Sequence, residues 1–115
     1  MTISDVVRHL AGEQVTASAQ AVVQASGGYA SDLLSDVIAN AREGDVWITM
    51  QRHINVVAVA RLKGLACVVL VNGRRPEADT LARAEAEEVP IVVTQMPAFQ
   101  AAGVLFSQGL QGKRD

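Results

Sequence analysis

Gln51, Arg52, His53 and Asn55 stand together in WITMQRHINVVAVA, residues 47–60, between a strand-like beginning and an Ile/Val/Ala-rich end. A guanidinium, an imidazole and two amides at one junction could bind an anion. Arg pairs with phosphate or carboxylate through parallel N–H donors, and His adds a charge that responds to pH. A second polar group, Asn72, Gly73, Arg74 and Arg75, follows the apolar run ACVVLV, and Thr94 and Gln95 close a third apolar run. Thr49 ends the first of these runs, and Ser31, Asp32 and Ser35 upstream are secondary candidates. Each residue also has a structural role open to it. Asn, Thr and Gln at strand ends satisfy turns and caps, and an Arg-Arg pair in a loop is commonly solvated.

Enzyme chemistry finds little support. The sequence has no GxxxxGK[ST] phosphate loop and no GxGxxG. One cysteine and two histidines, His9 and His53, are too few for a zinc site. A hydrolase or transferase built from His53 with Ser31 or Ser35 and Asp32 can be drawn, but no GxSxG elbow accompanies it. No catalytic residue, metal ligand or cofactor is assigned. A net charge of −2 and a pI near 5.6 give no basic footprint for nucleic acid. No apolar run reaches the length of a membrane span, and MTISDVVRHLAG lacks the pattern of a signal peptide. Cys67 lies in an apolar run, where a thiol is inert. A reducing, cytoplasmic setting is the expectation.

The elements that must position these residues read as α/β. Ser4 caps a short helix that Gly12 stops, and residues 13–17 form a short strand. Residues 17–26 are ambiguous between helix and extended chain, and Gly27-Gly28 breaks the chain before Tyr29. Leu33, Leu34, Val37, Ile38 and Ala41 recur at helical spacing, with Ser31 or Asp32 as cap and Gly44 as stop. Residues 45–50 form a strand, 53–63 a helix and 66–71 a strand buried on both faces. Pro76 falls in the first turn of a helix whose apolar side is Ala78, Leu81, Ala82, Ala86 and Val89. Residues 91–94 form another buried strand. Pro97 opens a last helix with Phe99, Ala102, Leu105 and Phe106 facing the core. Trp47 packs in the core or at a subunit contact. This alternation implies one domain over residues 1–115, a mostly parallel sheet of about four or five strands flanked by helices. In such sheets ligands lie beyond the strand carboxyl ends, where the polar clusters fall.

The segment ACVVLVNGRRPEADTLARAEAEEVPIVVTQMPAFQAAGVL resembles the C-terminal half of DRTGG domains: a buried strand, a Gly-containing turn, a proline, a helix, a strand after V-P-I and a terminal helix. WITMQRHINVVAVARLKG resembles the strand–loop–helix that carries the family's Asp-Arg pair. Starting from YASDLLSDVIANAREG, the likeness extends to small stand-alone members. Gln51-Arg52-His53 occupies the place of Asp-Arg, and Val71-Asn72-Gly73 that of Thr-Gly-Gly, so Gly73 alone carries over unchanged. The resemblance implies a non-catalytic regulatory or assembly module, often dimeric, with no established cofactor. Other members are regulatory regions of phosphotransacetylases, CBS-domain pyrophosphatases and HPr kinase/phosphorylase-like proteins.

Three functions compete. A regulatory domain would sense an anionic metabolite or nucleotide through Thr49, Gln51, Arg52, His53, Asn55, Asn72, Gly73, Arg74 and Arg75. A docking module would self-associate as a homodimer through Trp47 or the Phe99–Phe106 helix, or dock onto a larger regulatory protein. An enzyme would rest on His53.

Overall fold

A computed structural model of the chain describes residues 1–18 and 23–112. Its elements in chain order are α1 (Ile3–His9), β1 (Glu13–Gln14), β2 (Gly27–Ala30), α2 (Leu34–Asn40), β3 (Asp45–Thr49), α3 (Asn55–Lys63), β4 (Cys67–Leu70), α4 (Ala78–Glu87), β5 (Ile91–Val93) and α5 (Ala98–Ser107). The strands form one sheet in the order β1-β5-β4-β3-β2. β2, β3, β4 and β5 run parallel, and β1 pairs antiparallel with β5.

Side-chain alternation along the strands divides the core in two. Val46, Ile48, Cys67, Val69 and Val92 face α1 and α5, packing with Ile3, Val6, Leu10, Ala101 and Leu105. Trp47, Val68, Leu70, Ile91 and Val93 face α2, α3 and α4, packing with Val37, Val56, Val57, Ala60 and Ala84. Every residue of β3, β4 and β5 is buried, as the unbroken apolar runs require. The Cys67 thiol is enclosed, and burial raises its pKa to about 12.

Several local expectations are corrected. Thr2, not Ser4, caps α1: its hydroxyl accepts the Asp5 amide while Asp5 accepts the Thr2 amide, a closed capping box. The helix ends before Gly12, with Ala11 turning the chain at φ 48. Gly12 serves close approach instead, since a Cβ there would meet the Val93 carbonyl oxygen at 2.8 Å. β1 is two residues long rather than five. Gly27-Gly28 begins an edge strand rather than breaking the chain. Pairing with β3 supplies what local propensity lacks, and the outward Gly28 amide donates to the Gln111 carbonyl at 3.0 Å. Residues 17 and 18 are tied to Glu85 by the Ala17 and Ser18 amides at 2.8–2.9 Å, and residues 19–22 of the ambiguous segment lie outside the described residues.

α2 is one turn shorter at its end than expected. It stops at Asn40, and Leu33 occupies the cap position with no side-chain cap. Leu33 is 64% exposed and Ile38 also reaches solvent, so the stripe narrows to Leu34, Val37 and Ala41. On α4 the buried residues are Thr80 and Ala84, while Ala78, Ala82 and Ala86 are exposed. The expected face was set by apolar spacing alone; Val89 is buried as expected and Leu81 half-buried, but the three alanines yield to a threonine whose hydroxyl donates to the Arg52 carbonyl at 2.9 Å. Pro76 precedes α4 rather than lying in its first turn. On α5 the core side is Ala101 and Leu105, leaving Phe99 93% and Phe106 67% exposed. Trp47 is fully buried beneath α2 and α3, which removes it as a subunit contact.

The capping box makes α1 acid-sensitive. The Thr2 amide, then the Arg8 guanidinium, hold the Asp5 carboxyl at about 2, below its ordinary 3.8. Amides of Ala17 and Ser18 lower Glu85 in the same direction. A carboxyl whose folded pKa is depressed stabilises the fold above its unfolded value and loses that contribution as pH falls toward its folded one. Urea unfolding followed by circular dichroism should therefore show stability falling between pH ~4 and ~2, with a shallower fall in Asp5→Asn. An identical slope in that variant would contradict the capping assignment.

Candidate functional site

Because β2 to β5 are parallel, their carboxyl ends share one edge of the sheet. The loop after β2 brings Ser31 and Asp32, that after β3 brings Met50, Gln51, Arg52 and His53, that after β4 brings Asn72 to Arg75, and that after β5 brings Gln95 and Met96. Hydrogen bonds join these loops in order. Asp32 Oδ1 accepts the Thr49 hydroxyl at 2.8 Å and the Met50 amide at 2.7 Å. Gln51 Nε2 returns a bond to the Asp32 carbonyl at 2.9 Å, and the Gln51 amide donates to Thr49 Oγ1 at 3.1 Å. The Met50 carbonyl accepts Arg74 Nε at 3.0 Å, and its sulfur lies 3.2 Å from Asn72 Nδ2. Arg52 Nε donates to the Arg75 carbonyl at 2.6 Å.

The turn after β4 follows from Asn72-Gly73. Both residues have positive φ, 58 and 66, and the Arg74 amide donates to the Val71 carbonyl at 3.1 Å. Two successive left-handed residues closed by that bond make a type I′ turn, the geometry Asn-Gly adopts most readily. The Asn72 and Gly73 amides bond the carbonyls of Met96 and Thr94 at 2.9 and 2.8 Å, fixing the turn to the β5 loop. A Cβ on Gly73 would meet the Gln95 amide at 2.6–2.8 Å.

A cleft of about 230 Å³ opens on this edge, lined by Asp32, Met50, Gln51 and Arg74. Arg52, Asn72 and Gly73 stand in the loops around it. His53 lies outward with Nδ1 3.1 Å from Glu77, and the structure does not pair it with Ser31, Ser35 or Asp32. Arg75 is engaged by Glu13 at 3.3 Å. Asn55 is exposed at the start of α3, and Ser35 is exposed on α2. Ser31 positions its neighbours: its carbonyl accepts Trp47 Nε1 at 2.8 Å and its hydroxyl accepts the Leu33 amide at 3.2 Å. Hydrogen bonds from Ser31, Tyr29 and Asn40 hold the Asp36 carboxyl below its ordinary range. Met50 was not among the sequence candidates; it contributes mainly its backbone amide and carbonyl, with its sulfur beside Asn72. Asp32, a secondary candidate in the sequence, lines the cleft and joins the β2 and β3 loops. Its place at a strand carboxyl end became visible only once residues 27–30 were seen to be a strand. Among the described residues no cluster of His, Cys, Asp and Glu could hold a metal ion, and no helix is long and apolar enough to cross a membrane.

The fold and the loop-built edge place the chain among α/β domains with helices on both faces of a mostly parallel sheet. A family model for the DRTGG domain matches residues 5–107, and the chain belongs to that family. Among solved structures it is similar to the CBS and DRTGG domains of the regulatory region of a Clostridium perfringens pyrophosphatase, crystallised with its activator diadenosine tetraphosphate. The TM-score is 0.75 at 14% identity, over 90% of this chain and 45% of that one. The likeness is therefore one of fold, and this chain spans less than half the length of its neighbour. No curated protein matches the chain by sequence.

The left-handed turn makes a test of the site's scaffold. Gly73→Ala should lower the unfolding free energy by about 1–2 kcal/mol, the cost of a left-handed non-glycine residue, since Gln95 can swing away from the new methyl. Urea denaturation at neutral pH measures it, and an unchanged midpoint would mean the turn relaxes without strain.

Proposed function

We propose that this chain is a non-catalytic regulatory domain that binds an anionic metabolite, a nucleotide among the candidates, at the carboxyl ends of its parallel strands. One observation carries the reading. Arg52 and Arg74 are each tied through Nε to a backbone carbonyl, and neither has a partner at its Nη nitrogens among the described residues. A guanidinium held by one N–H has its position fixed and its charge uncompensated, which suits it to phosphate or carboxylate. Thr49, Gln51, Asn72 and Gly73 would shape the site, and Asn55 and His53 would stand at its rim. Family membership supports a regulatory role, as does the nucleotide activator bound to the pyrophosphatase region of the same fold. Residues 1–115 would act as one unit in a reducing, cytoplasmic setting.

Differential scanning fluorimetry with ATP, pyrophosphate and acetyl phosphate tests this. A ligand that binds only the folded chain raises its melting temperature, and at 100 times Kd it adds about 2.7 kcal/mol. Arg74→Ala should weaken binding by about tenfold or more, the loss of a charge-assisted hydrogen bond. No shift with any of these at millimolar concentrations would defeat the proposal.

A second reading, self-association, is favoured by Phe99 and Phe106. They lie seven residues apart on α5, on one exposed side of a helix. Beside Phe106 an apolar groove of about 150 Å³ runs between α5 and β2, lined by Tyr29, Ile48, Ala102 and Leu105 among others. A homodimer covering this face would bury both rings, and a larger regulatory protein could take the partner's place. Light scattering should give about twice the chain mass of 12.2 kDa, and Phe106→Asp should return it to a folded monomer. A monomer at every concentration of the unaltered chain would leave only docking to another protein.

A further inference from the structure

The cleft at the sheet edge carries a carboxylate as well as a guanidinium, and a site for a bare anion would not. Asp32 Oδ1 is occupied by the Thr49 hydroxyl and the Met50 amide, whereas Oδ2 has no partner among the described residues. Arg74 reaches the same residue from its other side, through the Met50 carbonyl. Asp32 and Arg74 thus line one cleft, held through successive polar groups of Met50, yet no ion pair joins them. Gln51, the remaining polar side chain of the lining, has its Nε2 on the Asp32 carbonyl. An acceptor-only oxygen and an uncompensated cation therefore stand apart across a small space, and each asks for a different kind of ligand group.

We infer that the cleft takes a phosphorylated sugar, with its phosphate on Arg74 and a ring hydroxyl donating to Asp32 Oδ2. This inference rests on the reading of the edge as an anion site and narrows its ligand class. A carboxylate repels pyrophosphate or an acyl phosphate at close range, but it is the acceptor that a sugar diol needs. Size points the same way. About 230 Å³ lies below the roughly 300–1,000 Å³ of pockets that enclose drug-sized ligands. A pentose phosphate fits within it, and in a ribonucleotide the base would project beyond the lining residues.

The test is calorimetric titration of the full chain with ribose 5-phosphate, 2-deoxyribose 5-phosphate and pyrophosphate, repeated with Asp32→Asn. Asparagine keeps the carbonyl acceptor for Thr49 and Met50, so the edge retains its scaffold. The unaltered chain should bind ribose 5-phosphate about tenfold more tightly than its deoxy analogue, the worth of a hydrogen bond to a charged group. Asp32→Asn should lose that preference while binding pyrophosphate equally or more tightly. Equal affinity for the two sugars in the unaltered chain, a comparison that involves no variant, would overturn the inference. If all three ligands bind but Asp32→Asn strengthens all three, the edge is an anion site and the sugar assignment is wrong. If none binds, the anion site itself is lost, and this inference with it.

Discussion

The sheet is parallel from β2 to β5 and covered by helices on both faces, and the rest of the molecule follows from that constraint. Strands buried on both sides leave no room for a polar side chain except at their ends, and β3, β4 and β5 obey this almost without exception. Thr49 and Thr94 mark the transition. Each is buried at a strand end with its hydroxyl satisfied, Thr49 by Asp32 and the Gln51 amide, Thr94 by the Leu10 carbonyl and the Met96 amide. A buried hydroxyl without partners would cost more than the sheet gains by its burial. The threonines therefore terminate the apolar layer and begin the hydrogen-bonded edge.

That edge is held together loop by loop. Asp32 fastens the β2 end to the β3 loop, Met50 fastens the β3 loop to Arg74 and Asn72, and the Asn72 and Gly73 amides fasten the β4 turn to the β5 loop. The contacts are individually modest, about 0.5–1.5 kcal/mol each for neutral pairs. Their value lies in sequence. Each loop is positioned by the one before it, and the candidate binding groups are attached to backbone that is itself fixed. Groups already in place would need little ordering if a ligand were to bind there.

The second half of the fold was legible because its signals agreed. Apolar runs too continuous for alternation, together with the prolines near two helix starts, pointed to strand–helix repeats, and those elements stand where they were expected. The first half was less legible for a physical reason. β2 contains two glycines in four residues and owes its existence to pairing with β3, so nothing local announced it. Without that strand Asp32 read as a helix cap and a secondary candidate rather than as a residue at a strand end. The two phenylalanines of α5 misled in the opposite way. Hydrophobicity alone placed them inwards, whereas the helix packs through Ala101 and the expected Leu105.

The β3 loop holds Arg52 without an acid beside it in the chain. The carboxylate at this edge comes instead from Asp32, at the end of the neighbouring strand. An aspartate next to an arginine in one loop would tend to neutralise it. Here one oxygen of the acid is taken up by Thr49 and Met50, and Arg52 and Arg74 are anchored by carbonyls rather than by carboxylates. Opposite charges kept apart by backbone rather than paired retain their attraction for outside groups, so under the proposed reading the energy an internal ion pair would have consumed is left for a ligand.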